Sequence, residues 1–482
     1  MSILTIDVGT SSLKAVLYSG EGHVAGSSTA RYGYSAEQPG WAEQDPEQWW
    51  QALQSALSAL ARDGHPLHEV EALSFTGQMH TGVLLDAQGQ VVPPTILWLD
   101  RRAAAETEEL QALLRLPPYQ LNSTFTLPKL VWLRRHRPEA LDRTRRLLWP
   151  KDYVRYRMTG EICTDLTEPG GAALLDWSSR RYALDRLPLA GLDSAVLPPI
   201  WPGDDSGGRL LPDVARQLGL PPDARVVVGM GDVAALFGAA PLKPARVACS
   251  LGSSSMVFLP VENDRHSDPL HRLHIYPFGP HLMLGGVSST TGSSLTWAHA
   301  LLGQGKPFDV CLADALEVAP GAGGVCFIPF LAGERNPYWN DRLRAGFYGL
   351  QLAHDARHVL RAVMEGVAYS LRVFLDLFGQ MDVAVHEIAL AGGGASTPGW
   401  PQIIADVCQH PVSIYAGSET VTRVLFALCK QHLVQSSFAE SLSRTFDSPE
   451  QIEPRHEFSE VYESGYHTYR AFCEFAQAEA GD

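Results

Sequence analysis

Ile3-Leu4-Thr5-Ile6-Asp7-Val8, then Gly9-Thr10-Ser11-Ser12, then Leu13-Lys14-Ala15-Val16-Leu17-Tyr18 reads as an apolar run, a loop of small and hydroxylated residues, and a second apolar run. Ser19-Gly20-Glu21-Gly22 closes it as a turn, so the stretch predicts two strands joined by a tight loop. Near the middle of the chain the same grammar returns in Arg246 to Leu251, Gly252-Ser253-Ser254-Ser255, and Met256 to Leu259. An internal echo of this kind predicts duplication of a whole domain. The Pro- and Ala-rich stretch Gly238 to Pro244 lies just before the second copy, which sets the expected domains at residues 1–243 and 244–482.

Outward from these hairpins, helical and strand patterns alternate. Asp45 is a suitable N-cap, Pro46 suits the first helical position, and Gln48 would complete a capping box ahead of a helix from Trp49 to Leu60. A strand is expected at Ala72 to Phe75. Val359, Val363, Val367, Leu371, Phe374 and Phe378 recur at helical spacing and predict a long helix with one buried face. The alternation makes both halves α/β, and 482 residues at 45% hydrophobic content suffice for two cores.

A net charge of −15 repels nucleic acid backbones and anionic lipid surfaces, so neither is an expected partner. The start lacks a basic flank and a long apolar run, and no stretch is apolar enough to span a bilayer, so a cytoplasmic protein is expected. Seven cysteines stand singly, without zinc or disulfide spacing, and read as reduced core residues.

Several positions carry chemistry. Asp7 ends a strand immediately before Gly9, Thr10 and Ser11, with Lys14 just beyond. Glycine lets a backbone approach a phosphate, the hydroxyls add donors, and the acid can hold Mg²⁺ through water. A plain hairpin turn has the same look, but Gly252, Ser253 and Ser254 repeat the device in the second copy. Gly392-Gly393-Gly394-Ala395 follows a strand and precedes a helix, a bare backbone on which a flat adenosine can lie. Asp232, after the expected strand Arg225 to Val228, reads either as a helix cap or as the base that takes a proton from an attacking hydroxyl. Gln78-Met79-His80 and Trp98-Leu99-Asp100 end strands, where α/β sheets bind ligands. Arg101 and Arg102 read equally as solvated surface charge, and Glu334-Arg335 as an internal ion pair.

These residues resemble the FGGY carbohydrate kinases from Asp7 to about Ala427. Ala345 to Leu350 followed by His358 to Glu365 is similar to one family signature position by position; Thr126, Lys129, Leu130, Trp132, Leu133, Arg135 and His136 match the other. The resemblance implies two duplicated actin-like (ribonuclease H-like) ATPase domains with an interdomain cleft, ATP and Mg²⁺ as cofactors, and a small sugar as acceptor. It implies Asp232 as catalytic base and metal neighbour, Asp7 for the metal, Gly9, Thr10, Ser11 and Lys14 with Gly252, Ser253 and Ser254 for phosphates, and Gly393, Gly394 and Ala395 for adenosine. Gln78, Met79, His80, Trp98 and Asp100 would line the sugar pocket.

Gly40 to Pro46, Gly77 to His80, Lys151-Asp152-Tyr153 and Thr159-Gly160-Glu161 look like the branch acting on D-xylulose. Glu334 to Asn340 looks more like gluconate kinases, so a sugar acid is the competing substrate. A non-catalytic sugar or nucleotide sensor is the alternative of another class. Family members are often dimers, which makes a homodimer possible. Val424 and Phe426 stand where relatives place small residues, and are expected to narrow the adenine pocket.

Overall fold

The computed structural model describes residues 2–116, 120–262, 270, 272–278, 281–415, 419–434 and 436–481. Its first sheet contains β1 (Ser2–Val8), β2 (Ser12–Ser19), β3 (Val24–Arg31), β4 (Val70–Gly77), β5 (Ser206–Arg209) and β6 (Arg225–Val227), in the order β3-β2-β1-β4-β6-β5. β1 runs antiparallel to β2 and parallel to β4, which places Asp7 opposite both Lys14 and Thr76. Ile3, Leu4, Ile6 and Val8 are all buried. This explains the near-continuous apolar run, because a central strand covered on both faces needs no polar alternation.

Helix α1 (Pro46–Arg62) lays Trp49, Leu53, Ala56, Leu57 and Leu60 on that sheet, against Leu4, Ile6, Leu73 and Phe75. Its cap departs from the expected capping box. Asp45 accepts from the Glu47 N–H at 3.0 Å, while Gln48 turns inward and its Oε1 is buried without a hydrogen-bond partner among the described residues. Two short helices matter to the site, α2 (Thr167–Gly171) and α3 (Asp232–Ala235).

The second sheet contains β7 (Arg246–Leu251), β8 (Ser255–Val261), β9 (His274–Phe278), β10 (His281–Ser288), β11 (Glu387–Ala391), β12 (Val412–Tyr415) and β13 (Glu450–Ile452), in the order β9-β10-β8-β7-β11-β12-β13. Beyond the extra strand β9, the next five strands repeat the order and sense of the first sheet: β7 pairs antiparallel with β8 and parallel with β11, which pairs parallel with β12, while the far edge strand precedes its neighbour in the chain in the first sheet and follows it in the second. The matching topologies are those of duplicated actin-like, ribonuclease H-like domains. Helix α4 (Gly292–Leu302) follows β10. Helix α5 (Ala356–Gln380) buries the expected Val363, Val367, Leu371, Phe374 and Phe378, with Asp355 capping it through the N–H groups of Arg357 and His358. All seven cysteines are free and buried, and no helix among the described residues is long and apolar enough to cross a membrane.

The chain forms two compact units, Met1–Gly238 with Val421–Thr445, and Ala239–Thr420 with Phe446–Asp482. Most of helix α6 (Thr420–Val434) thus belongs to the first unit. Val424 and Phe426 are buried there. The Phe426 ring lies 5.3 Å from that of Tyr18 on β2, and the Tyr18 hydroxyl meets Thr422 Oγ1 at 2.8 Å. Their bulk fills a core under β2, so the expected narrowing of a ligand pocket is replaced by a packing role. Truncating Phe426 to Ala should therefore destabilise the protein by about 3–5 kcal/mol, read as a lower urea midpoint with unchanged slope.

Candidate active site

The loop after β1 is held from beneath by side chains. The Gly9 N–H donates to the Ser12 carbonyl at 3.0 Å, and the Gly9 carbonyl accepts from the Tyr32 hydroxyl at 2.6 Å. Gln44 donates through Nε2 to the carbonyls of Thr10 at 2.9 Å and Gly33 at 2.8 Å. Its Oε1 accepts from Trp49 Nε1 at 2.9 Å and Gln78 Nε2 at 3.1 Å. Gln78 is buried and braces the loop through its Nε2, while its Oε1 accepts from Thr81 Oγ1 at 3.4 Å. Trp98 donates from its indole to Thr10 Oγ1 at 2.9 Å, which brings two of the expected site residues together. Ser11 is exposed at the tip, with Thr10 partly so.

Asp232 starts α3 after a turn that only glycine can make. Gly229 has φ +83°, and a Cβ there would sit 1.9 Å from the Phe75 carbonyl oxygen. The Asp232 carboxylate accepts from the Val233 N–H at 2.7 Å and also from the Met79 N–H. Burial, and then the nearby charge of Asp7, push its pKa up to about 7. A carboxyl poised there can take a proton near neutral pH and still be ionised often enough to do so.

His80 adjoins this acid at φ +68°, its ring stacked on Phe125 at 4.8 Å. Its Nδ1 donates to the Gly171 carbonyl, which leaves Nε2 as an acceptor. Burial lowers the imidazole pKa to about 4, so the ring is neutral and can accept a hydroxyl proton in a hydrogen bond. Met79 is buried, its side chain packed where any Cβ on Gly231 would stand.

Asp100 has a different task from the one expected. Its oxygens accept from the Ala42 N–H at 2.5 Å and from Arg102 N, Nε and Nη2 at 2.7–3.0 Å. Arg102 is 1% exposed in its side chain, reaches Glu43 at 2.6 Å, and stacks over Trp41 at 3.7 Å. It is a buried clamp between two acids and two rings, not solvated surface charge.

Beneath α2 lies an ion cluster that the sequence reading missed. Lys151 Nζ meets Asp152 Oδ1 at 2.7 Å and Asp165 Oδ1 at 3.0 Å, all deeply buried, and Arg155 reaches Asp152 at 3.2 Å. Burial pushes Lys151 down, but Asp152 and Asp165 overcome it and hold its pKa raised. Glu168 is fully buried beside them, and neither of its oxygens has a hydrogen-bond partner among the described residues. Burial raises its pKa well above the usual carboxyl value.

In the second unit, Gly252 and Ser253 are exposed at the loop joining β7 to β8. Here the support is backbone: N–H groups of Thr291 and Gly292 at the start of α4 donate to the carbonyls of Ser253 and Gly252, each at 2.9 Å. The Ser293 hydroxyl adds a bond to Ser253 at 2.8 Å. The glycine turn after β11 presses on the same strand end. Gly392 has φ +81°, and a Cβ on Gly392 or Gly394 would lie 2.7 Å from Leu251 atoms. Gly393 faces open space, whereas Ala395 is buried and has only backbone to offer.

Glu334 and Asn336 are also buried. Glu334 accepts from Ser288 Oγ at 3.0 Å, the Ser289 N–H at 2.6 Å and the Arg335 N–H at 2.8 Å. Backbone and serine donors thus replace the expected ion pair with the Arg335 side chain.

Among the described residues no group of three His, Cys, Asp or Glu side chains forms a metal cage. Asp7 and Asp232 nevertheless stand close enough for one charge to act on the other. That donor set fits Mg²⁺, a hard ion usually held by one or two carboxylates, with water and substrate phosphate completing its shell.

Residues 2–238 match the N-terminal domain and residues 247–423 the C-terminal domain of the FGGY family of carbohydrate kinases. The chain belongs to this family, and it is an ATP-dependent sugar kinase. Among its relatives, xylulose kinase of Escherichia coli (strain K12) is 36% identical over 424 residues, 86% of each chain. Gluconokinase of Bacillus subtilis (strain 168) is 27% identical over 431 residues, 86% of this chain and 84% of the relative. The crystal structure of xylulose kinase from Rhodospirillum rubrum superposes with a TM-score of 0.90 at 25% identity, covering 100% of both chains.

Two measurements follow from these groups. kcat/KM for the sugar should fall about tenfold per pH unit below a limb near pH 7, as the base becomes protonated, and Asp7→Asn should move that limb to lower pH. Glu168 keeps its proton when folded at pH values where the unfolded chain has released it. Folding therefore takes up a proton, and stability falls as pH rises from the unfolded carboxyl value towards the folded one. Glu168→Gln removes this dependence, so its melting temperature should gain on that of the wild type as pH increases.

Proposed function

We propose that the acceptor is D-xylulose, phosphorylated by in-line transfer from ATP with Asp232 as general base. The observation that carries the mechanism is the Asp232 carboxyl, raised to about 7 and joined to the His80 side of the site through the Met79 N–H. The xylulose kinase relatives, together with the stretches at Gly40–Pro46 and Gly77–His80, support the sugar. Residues 1–243 would bind sugar and supply the base, and residues 244–482 would bind nucleotide.

Chemically, the Asp232 carboxylate takes the proton of the attacking sugar hydroxyl while its oxygen bonds to the γ-phosphorus and ADP leaves. The neutral His80 Nε2 accepts a hydrogen bond from a second sugar hydroxyl, and Trp98 walls the pocket. Asp7 and Asp232 would hold Mg²⁺, which supplies neutralising charge at the phosphates. Thr10, Ser11 and Lys14 are the phosphate-binding groups of the first unit, and Gly252, Ser253 and Ser254 are those of the second. The open face of Gly393, with the backbone of Gly394 and Ala395, receives the adenosine. The protein works in the cytoplasm.

Glu334 to Asn340 made a sugar acid the competitor, yet Glu334 and Asn336 are internal. Asn336 Oδ1 accepts from the Val287 N–H at 2.9 Å and contacts His274 Nε2 at 3.0 Å. Their likeness to gluconate kinases reflects a packed turn and leaves the substrate open to direct assay. With Mg-ATP, ADP release should be fastest with D-xylulose among pentuloses, polyols and aldonic acids. Asp232→Ala should lose roughly 100- to 10,000-fold in kcat. Faster turnover of gluconate than of D-xylulose would overturn the substrate assignment.

A further inference from the structure

Asp232 stands on a turn that is anchored from outside its own strand. Gly231, immediately before it, donates its buried N–H to Thr167 Oγ1 at 2.9 Å. Thr167 is itself fixed, since its N–H donates to Asp165 Oδ2 at 2.8 Å. The other oxygen of Asp165 lies 3.0 Å from Lys151 Nζ. Asp152, also in contact with Lys151, accepts from the Thr164 hydroxyl at 2.6 Å. A continuous polar path thus runs from the ion cluster to the turn bearing the acid.

The far end of α2 holds the sugar side. The Gly171 carbonyl takes the His80 Nδ1 proton, and a Cβ on Gly171 would lie 2.7 Å from His80 Nδ1 and 2.8 Å from Met79 Cε. One short segment, Asp165 to Gly171, therefore fixes Asp232 and His80 relative to each other. An N–H just ahead of a helix has no partner within that helix, and left unpaired in a buried site it would pull the turn towards another acceptor. Small displacements of a reacting group cost far more rate than stability.

We propose that Thr167 is a positioning residue for phosphoryl transfer, its hydroxyl holding the Gly231 N–H so that the Asp232 carboxylate meets the acceptor oxygen. This rests on Asp232 being the base. Thr167→Val keeps the volume and removes the acceptor, whereas Thr167→Ser restores it. In the full chain, Thr167→Val should lower kcat by about 10- to 100-fold with the KM for ATP within about twofold, and Thr167→Ser should return to within about threefold of wild type. In an Asp232→Ala background, Thr167→Val should cost nothing further, because groups acting through one another are non-additive. Thr167→Val at wild-type rate, a failure of Thr167→Ser to restore the rate, or an equal fractional loss in the Asp232→Ala background would each overturn the positioning role while leaving the base intact. Asp232→Ala at wild-type rate would instead overturn the base assignment, and the role of Thr167 with it.

Discussion

The site depends on a lysine that has no access to water. Lys151 lies between Asp152 and Asp165, and Arg155 shares the same Asp152 oxygen. Removing such charges from solvent costs several kcal/mol per ion and seldom adds net stability over apolar packing. What the cluster does supply is direction. A buried ion pair fixes the backbone carrying each partner, and here those backbones lead to Thr167 and so to Asp232. Two cations face two carboxylates, and Glu168 as a fifth group would leave an uncompensated charge if it ionised. Burial resolves this by keeping its proton on.

The duplicated sheets show how one architecture holds the same loop in two ways. Both loops follow the first strand of an antiparallel pair and stand at the same place in the strand order. The first is braced by long side chains, Tyr32, Gln44, Gln78 and Trp98. Backbone donors at the start of α4 brace the second instead. Side-chain bracing couples loop position to neighbouring residues that can be tuned to a substrate, whereas backbone bracing asks little of the sequence.

Much of this was legible in the sequence wherever local chemistry determined the outcome. The strands around Asp7 and Ser250, the buried stripe from Val363 to Phe378 and the strand leading to Asp232 all rest on short-range patterns, and the structure reproduces them. The residues misread share another trait, in that their partners are distant in sequence. Arg102 looked like surface charge because Trp41, Glu43 and Trp132 lie far from it along the chain. Phe426 looked like an obstruction because Tyr18 is about 400 residues away. Gln44 did sit inside a recognised stretch, though nothing local revealed that its amide joins Thr10, Gly33, Trp49 and Gln78. Tyr32 carried no signal at all.

The same distinction explains why Gln78, Met79 and His80 divide their labour despite being consecutive. At the end of a strand the chain alternates faces, so Gln78 turns to the loop after β1 and Met79 packs against Gly231. Only His80, forced to a left-handed backbone, remains partly exposed. Its Nδ1 proton is committed to the Gly171 carbonyl, and burial keeps the ring neutral. A residue in that state accepts a hydrogen bond and offers no charge of its own. On the proposed reading that His80 faces the sugar, a neutral polyhydroxylated acceptor meets that requirement directly, while an acidic sugar would need its carboxylate balanced by a cation, a role this imidazole does not fill.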